Sequence, residues 1–303
     1  MSSVVRKLWH TVAALAIAAA AVVAPTTASA ITQGEDARIG TVADSTARVQ
    51  VGNKSCTGTL IASEWILTAA HCKGVGDYSF ISVGAPANGE KARVAKVIVH
   101  PSSDLMLVKT NKRMQSPVAP LATSYTGEET AGYSMGWGSV MENGKDIIQQ
   151  ADVEVQRRVT NVAGAINPAD VFYEGYVYNG HLGQGDSGGP LFVEGQLAGV
   201  ASLANSAAKG SRLDGALGWW IPVQDHYDWI AENTGIATPA VSGVQGVADD
   251  TMIFHTTAPP VEIPHSVQIL KDLQTINENT QLLYEATQSD GGALASLSSQ
   301  LSS

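Results

Sequence analysis

The chain has 303 residues, 44% hydrophobic and 15% charged, with a formal net charge of −10. That length accommodates one two-lobed domain plus an extension. Its acidity disfavours nucleic acid and anionic membrane as partners, and no run of lysine or arginine offers a phosphate-tracking stripe.

Arg6 and Lys7 precede an alanine- and valine-rich run from Thr11 to Ala24, and Ala28-Ser29-Ala30 follows. A basic start, an apolar core and a small-x-small site read as a secretory signal peptide over residues 1–30. A single-pass anchor is the competing reading. It is weakened because the apolar run is shorter than the roughly 18 residues a span needs and is closed by Pro25. Cleavage after Ala30 leaves 273 residues, and loss of Arg6 and Lys7 takes the charge to −12. No later segment is long and apolar enough to span a bilayer, so a secreted, extracellular protein is expected.

From Ile31 to about Thr123, short apolar stretches alternate with Gly-, Asn- and Ser-containing turns, as at Leu60-Ile61, Trp65-Ile66-Leu67, Phe80-Ile81-Ser82-Val83 and Val94 to Val99. This is the spacing of an all-β barrel or sandwich. Cys56 and Cys72 are the only cysteines. Export favours a disulfide between them over two buried thiols or a metal pair. The second apolar stretch here ends in Ala69-Ala70-His71-Cys72. Farther on, Asp104 opens the apolar run Leu105-Met106-Leu107-Val108, where a partly buried carboxylate needs hydrogen-bond donors such as an imidazole N–H.

Ser124 to Pro222 repeats the β style, with Gly136-Trp137-Gly138, Val153-Glu154-Val155 and Leu197-Ala198-Gly199-Val200. Within it lies Gly185-Asp186-Ser187-Gly188-Gly189-Pro190, a hydroxyl set between glycines. A serine alcohol is a weak nucleophile near neutral pH. It needs an imidazole base held in one tautomer, and donors where oxyanion charge develops. Val223 to Asn233 reads as a helix. Residues 238–265 are rich in Ala, Val, Thr, Gly and Pro and read as a linker. In the 266–303 tail, Ile269, Leu273, Ile276, Thr280 and Leu283 follow a heptad seam. This helical or partly disordered tail either self-associates, binds a partner or folds back on the chain's own surface.

The stretches bearing His71, Asp104 and Ser187, in that order and joined by Gly136-Trp137-Gly138, resemble the chymotrypsin/trypsin-type serine endopeptidases. The resemblance spans roughly residues 31 to 236. It implies two six-stranded antiparallel β-barrels, about 31–123 and 124–222, followed by the C-terminal helix at about 223–233, all within a domain at 31–237. It further implies Ser187 as nucleophile, His71 as general base and then acid, Asp104 as its orienter, and the Gly185 and Ser187 N–H groups as oxyanion hole. In this family the Cys56–Cys72 bridge ties the histidine loop to its neighbouring strand. Ile31-Thr32-Gln33-Gly34 resembles the start of activated members, whose freed ammonium pairs with the aspartate before the nucleophile, here Asp186.

The family's pocket places His181 at the base, with Leu182, Gly183, Ser202, Leu203 and Ala204 as walls and Gly218 on the far side. Histidine at the base removes the fixed negative charge that selects lysine or arginine. Either a neutral His181 closes an apolar pocket, or a protonated one attracts an acidic side chain, or the loop is shifted and His181 faces solvent; the apolar reading leads. The substrate is a peptide or protein, and no metal or organic cofactor is required. The alternative is a non-catalytic module that keeps the protease fold and binds through its tail.

Overall fold

Residues 31, 34–37, 40–84, 89–138, 147–205, 216–243 and 246–249 are described by a computed structural model. The leader at 1–30 and the tail at 266–303 lie outside them. Strand β1 is Glu35–Asp36 and helix α1 is Thr41–Ser45, a single turn that the sequence pattern does not announce. Strands β2 (Thr46–Val51), β3 (Lys54–Ala62), β4 (Trp65–Thr68), β5 (Ser79–Val83), β6 (Glu90–Ala92), β7 (Val94–Val99) and β8 (Met106–Thr110) follow. Strand β2 shows the period of two that a half-buried strand requires: Ala47 and Val49 turn into the core, while Arg48 and Gln50 are only half-buried. Strand β4, Trp-Ile-Leu-Thr, is buried at every position.

Among the described residues these strands form one curled antiparallel sheet in the order β6-β5-β2-β3-β4-β8-β7. Leu60, Ile66, Leu67, Ile81 and Leu107 are fully buried in it. Each such side chain contributes about 1.5–3 kcal/mol on removal from water.

The second half contains β9 (Thr130–Gly136), β10 (Gln149–Thr160), β11 (Phe172–Tyr178), β12 (Pro190–Val193), β13 (Gln196–Ala204) and β14 (Ala216–Pro222). They pair as β10-β11-β14-β13-β12-β9, and β9 pairs back to β10, so six antiparallel strands close a barrel. Closure removes the exposed edges that would otherwise template association. The two-barrel architecture expected from sequence is therefore present. The first sheet carries the short β6 as a seventh strand, and β1 and β15 (Ala248–Asp249) attach to β10 outside the second ring.

A 3₁₀ turn at Val223–His226 leads into α2, Tyr227–Thr234. Gly235 ends α2 in the left-handed region at φ 71°, its N–H donating to the Ala231 carbonyl at 2.8 Å. This is the glycine stop expected of a helix C-terminus. Tyr227 and Ile230 are the helix's buried residues.

Of the stretch expected as linker, residues 238–243 and 246–249 are described, and they pair with the body of the domain at two points. Ser242 N–H donates to the Thr123 carbonyl at 2.9 Å, and Ala248 pairs in parallel with Val159. No helix among the described residues is long and apolar enough to cross a membrane.

Candidate active site

His71 sits in a 3₁₀ turn, Ala70–Cys72, just past the end of β4. The disulfide Cys56–Cys72 fastens that turn to β3. The turn before β8 supplies Asp104, whose side chain is fully buried. Asp104 Oδ2 accepts from His71 Nδ1 at 2.8 Å, and Oδ1 accepts from the His71 backbone N–H at 2.9 Å. Two bonds to one residue fix both the position and the rotation of the imidazole. With the proton held on Nδ1, the lone pair of Nε2 is left to take a proton from elsewhere.

The second barrel supports the same carboxylate. Ser202 Oγ donates to Asp104 Oδ2 at 2.6 Å. Strand β13 is bulged between Ala201 and Leu203, and such an irregularity re-aims a side chain out of the regular pleat.

Ser187 comes from the loop before β12 and is held against the first barrel through Thr57. Thr57 N–H donates to the Ser187 carbonyl at 3.0 Å, and Thr57 Oγ1 donates to the Gly185 carbonyl at 2.8 Å. Thr57 Oγ1 also accepts the Trp137 N–H at 2.8 Å. The barrels meet so closely that a Cβ at Gly188 would lie 2.0 Å from Thr68 Oγ1. Gly188 also has φ +78°, so both space and backbone demand glycine there. Gly185, at φ +96°, would drive a Cβ to 2.7 Å from Gly138 Cα.

The N–H groups of Asp186, Gly188 and Gly189 donate to the carbonyls of Gly183, Ala201 and Asp186. Among the described residues, those of Gly185 and Ser187 donate to no protein acceptor. Unpaired N–H groups beside a half-exposed serine are an anion-stabilising arrangement.

Asp186 is buried beside the cleft. It is 1% exposed and accepts the N–H groups of Ile31 at 3.2 Å, Gly138 at 2.8 Å and Gly183 at 2.8 Å. Burial still pushes its carboxyl up to about 6, against those three hydrogen bonds. The Gly-Trp-Gly run has its reason here, since a Cβ at Gly136 would sit 2.0 Å from Asp186 Oδ1. Ile31 is fully buried, at a φ of 40°.

A cavity of about 360 Å³ lies beside Ser187, lined in part by His181, Leu182, Gly183, Ser202, Leu203 and Ala204. Gly218 does not line it. It sits in β14 opposite Gly175 and Ala204, with the Trp220 ring packed over its Cα. Burial lowers the His181 pKa, and its Nδ1 has no hydrogen-bond partner.

Thr57 and Asp170 are structural participants that motif reading passes over. Asp170 lies behind Asp104 and accepts its backbone N–H at 3.0 Å. The only local signal for Thr57 is its place beside Cys56.

A family model described as Trypsin matches residues 31–230. An uncharacterized peptidase of Corynebacterium glutamicum strain R is 37% identical over 264 residues, covering 87% of this chain and 92% of its own length. Snake venom serine protease 2C of Craspedocephalus gramineus is 29% identical over 211 residues, covering 61% of this chain and 81% of its own. Neuropsin, a serine protease expressed in the limbic system of mouse brain, superposes with a TM-score of 0.53 at 21% identity, over 65% of this chain and 97% of the neuropsin chain.

Proposed function

The chain belongs to the trypsin family and is a serine endopeptidase, and from that premise we propose that Ser187, His71 and Asp104 are its catalytic triad. The Asp104–His71 bond at 2.8 Å is the observation that carries this assignment. Ser187 Oγ attacks the scissile carbonyl while His71 Nε2 takes its proton. The negative charge that develops on the carbonyl oxygen is met by the Gly185 and Ser187 N–H groups. As the tetrahedral species collapses, His71 returns the proton to the leaving amine and an acyl-enzyme remains on Ser187. Water, deprotonated by the same imidazole, then releases the acid. Throughout, Asp104 keeps its charge and holds the proton-bearing Nδ1 toward itself.

The pocket beside Ser187 accepts an apolar P1 side chain in this reading. Leucine and alanine contribute to its wall, and the half-buried His181, its pKa lowered by burial, is neutral at pH 7. A neutral base neither pairs with arginine nor attracts a carboxylate.

The protein acts outside the cell, released from residues 1–30 by cleavage after Ala30. The same cut frees the Ile31 ammonium to pair with Asp186, so signal removal and activation are one event. The domain boundaries at 31–237, 238–265 and 266–303 belong to this reading, as does self-association or partner binding through the tail. Hydrolysis of an unstructured protein by the wild type, with loss of at least about a thousandfold in Ser187→Ala, tests the assignment. Undiminished turnover by Ser187→Ala would overturn it.

A further inference from the structure

Asp104 does not face a neutral wall. Asp170 is 6% exposed and lies in the β10–β11 connection of the second barrel. Its Oδ2 accepts the Asp104 N–H at 3.0 Å, across a sequence separation of 66. Asn167, three residues earlier, donates through Nδ2 to the Ser102 carbonyl and to Asp170 Oδ1, the latter at 3.3 Å. Its own Oδ1 accepts the Ala169 N–H, and Asp170 N–H returns to the Asn167 carbonyl at 3.1 Å. A short turn of the second barrel thus grips two backbone groups, Ser102 and Asp104, of the first-barrel segment that orients the imidazole. The buried Ser103 hydroxyl lies beside the same Asp170 carboxylate.

A buried carboxylate next to a second buried carboxylate is expensive unless the arrangement serves something. Burial raises the Asp170 pKa, and the charge on Asp104 raises it further; the N–H of Asp104, the Ser103 hydroxyl and the amide of Asn167 oppose the rise. Other titratable groups bear on the same segment from α2 and its preceding turn. His100 Nε2 lies 3.3 Å from His226 Nδ1, and the His100 ring packs on Trp229 at 4.7 Å. Burial holds both histidines below their ordinary range, His226 at about 4. They are therefore neutral where a neutral-pH protease works.

We infer that Asp170 is a positioning residue of the triad. Its carboxylate clamps the Asp104 turn across the barrel interface and places a second negative charge behind the Asp104–His71 pair. The inference rests on the triad reading and extends it to a residue outside the motifs. Two separable effects follow. The clamp keeps Asp104 in register with the imidazole, which bears on kcat. The charge favours the imidazolium, which sets where activity falls on acidification.

The test uses the full chain, exported and processed by its host, with Asp170→Asn, Asp170→Ser and Asn167→Ala. Asparagine keeps an acceptor for the Asp104 N–H and removes the charge. Its expected profile has the acid limb of kcat/KM moved to lower pH by about 0.3–1 unit. Its KM stays within about twofold. Serine removes clamp and charge together, and should add a fall in kcat of about tenfold or more. Asn167→Ala loosens the clamp but keeps the Asp170 carboxylate, and should lower kcat with the acid limb moved less than in Asp170→Asn. An acid limb unchanged in both Asp170 variants would overturn the inference, as would a limb shifted equally by Asn167→Ala. Ser187-dependent labelling of the wild type by a covalent serine probe is measured alongside. Its absence would refute the triad reading; labelling with unmoved limbs would refute this inference alone.

Discussion

The Ile31–Asp186 contact yields the sharpest quantitative expectation. In the unprocessed chain Ile31 offers Asp186 a peptide N–H, and the fully buried carboxylate titrates at about 6 in place of 3.8. A folded-state pKa above the unfolded one means that the neutral form is favoured by folding. Stability from this group is full below pH 3.8 and is lost as the pH rises through about 6. The rise corresponds to roughly 3 kcal/mol at about 1.4 kcal/mol per pH unit. The unprocessed chain also holds the β-branched Ile31 at φ 40°, a conformation costing on the order of 1–3 kcal/mol. The proposed cleavage after Ala30 would end the chain there, releasing the torsion and supplying an ammonium within reach of the carboxylate.

Two proteins differing by one residue isolate the effect: one beginning at Ile31, the other at Ala30. Urea unfolding between pH 4 and pH 7 gives ΔG for each. The stability advantage of the Ile31 form should grow by about 2 kcal/mol across that range, and its hydrolytic activity should be far higher. Parallel pH curves, or equal activity of the Ala30 form, would refute the reasoning.

Asp104→Asn should leave the fold intact and lower kcat by about 10²–10⁴-fold at neutral pH, because an amide can hold the imidazole in the wrong tautomer. Steady-state kinetics alongside a thermal melt check it. Removing the Cys56–Cys72 bridge by Cys→Ala at both positions should cost on the order of 3 kcal/mol, read from the urea midpoint. Profiling on a mixed peptide library should show cleavage after leucine or aromatic residues exceeding cleavage after arginine by about tenfold or more. Efficient cutting after arginine would contradict the pocket assignment.

The parts of this molecule that were readable in the sequence are those whose chemistry requires neighbouring residues of set types. Gly185 and Gly188 are glycine because a Cβ would strike Gly138 or Thr68, and the sequence displays that as a glycine-rich hexapeptide. The β architecture was legible for a similar reason, since short apolar runs between turn residues leave few alternatives.

Asp170 and Thr57 had no such signature. Their contacts span 66 and 128 residues and depend on how one barrel is docked on the other. Gly218 was expected to wall the pocket, yet the Trp220 ring lies over it and it does not line the cavity. Strand register and the rotamer of a neighbouring aromatic decide that, and neither is written locally. The α1 turn escaped because five residues hold too little pattern to distinguish a helix from a loop.

Mass spectrometry of the processed protein after reaction with a fluorophosphonate tests the central claim most directly. One equivalent of adduct is predicted on the peptide containing Ser187, with labelling slowed strongly in His71→Ala and abolished in Ser187→Ala. An adduct on another residue, or labelling equally fast without His71, would contradict the account.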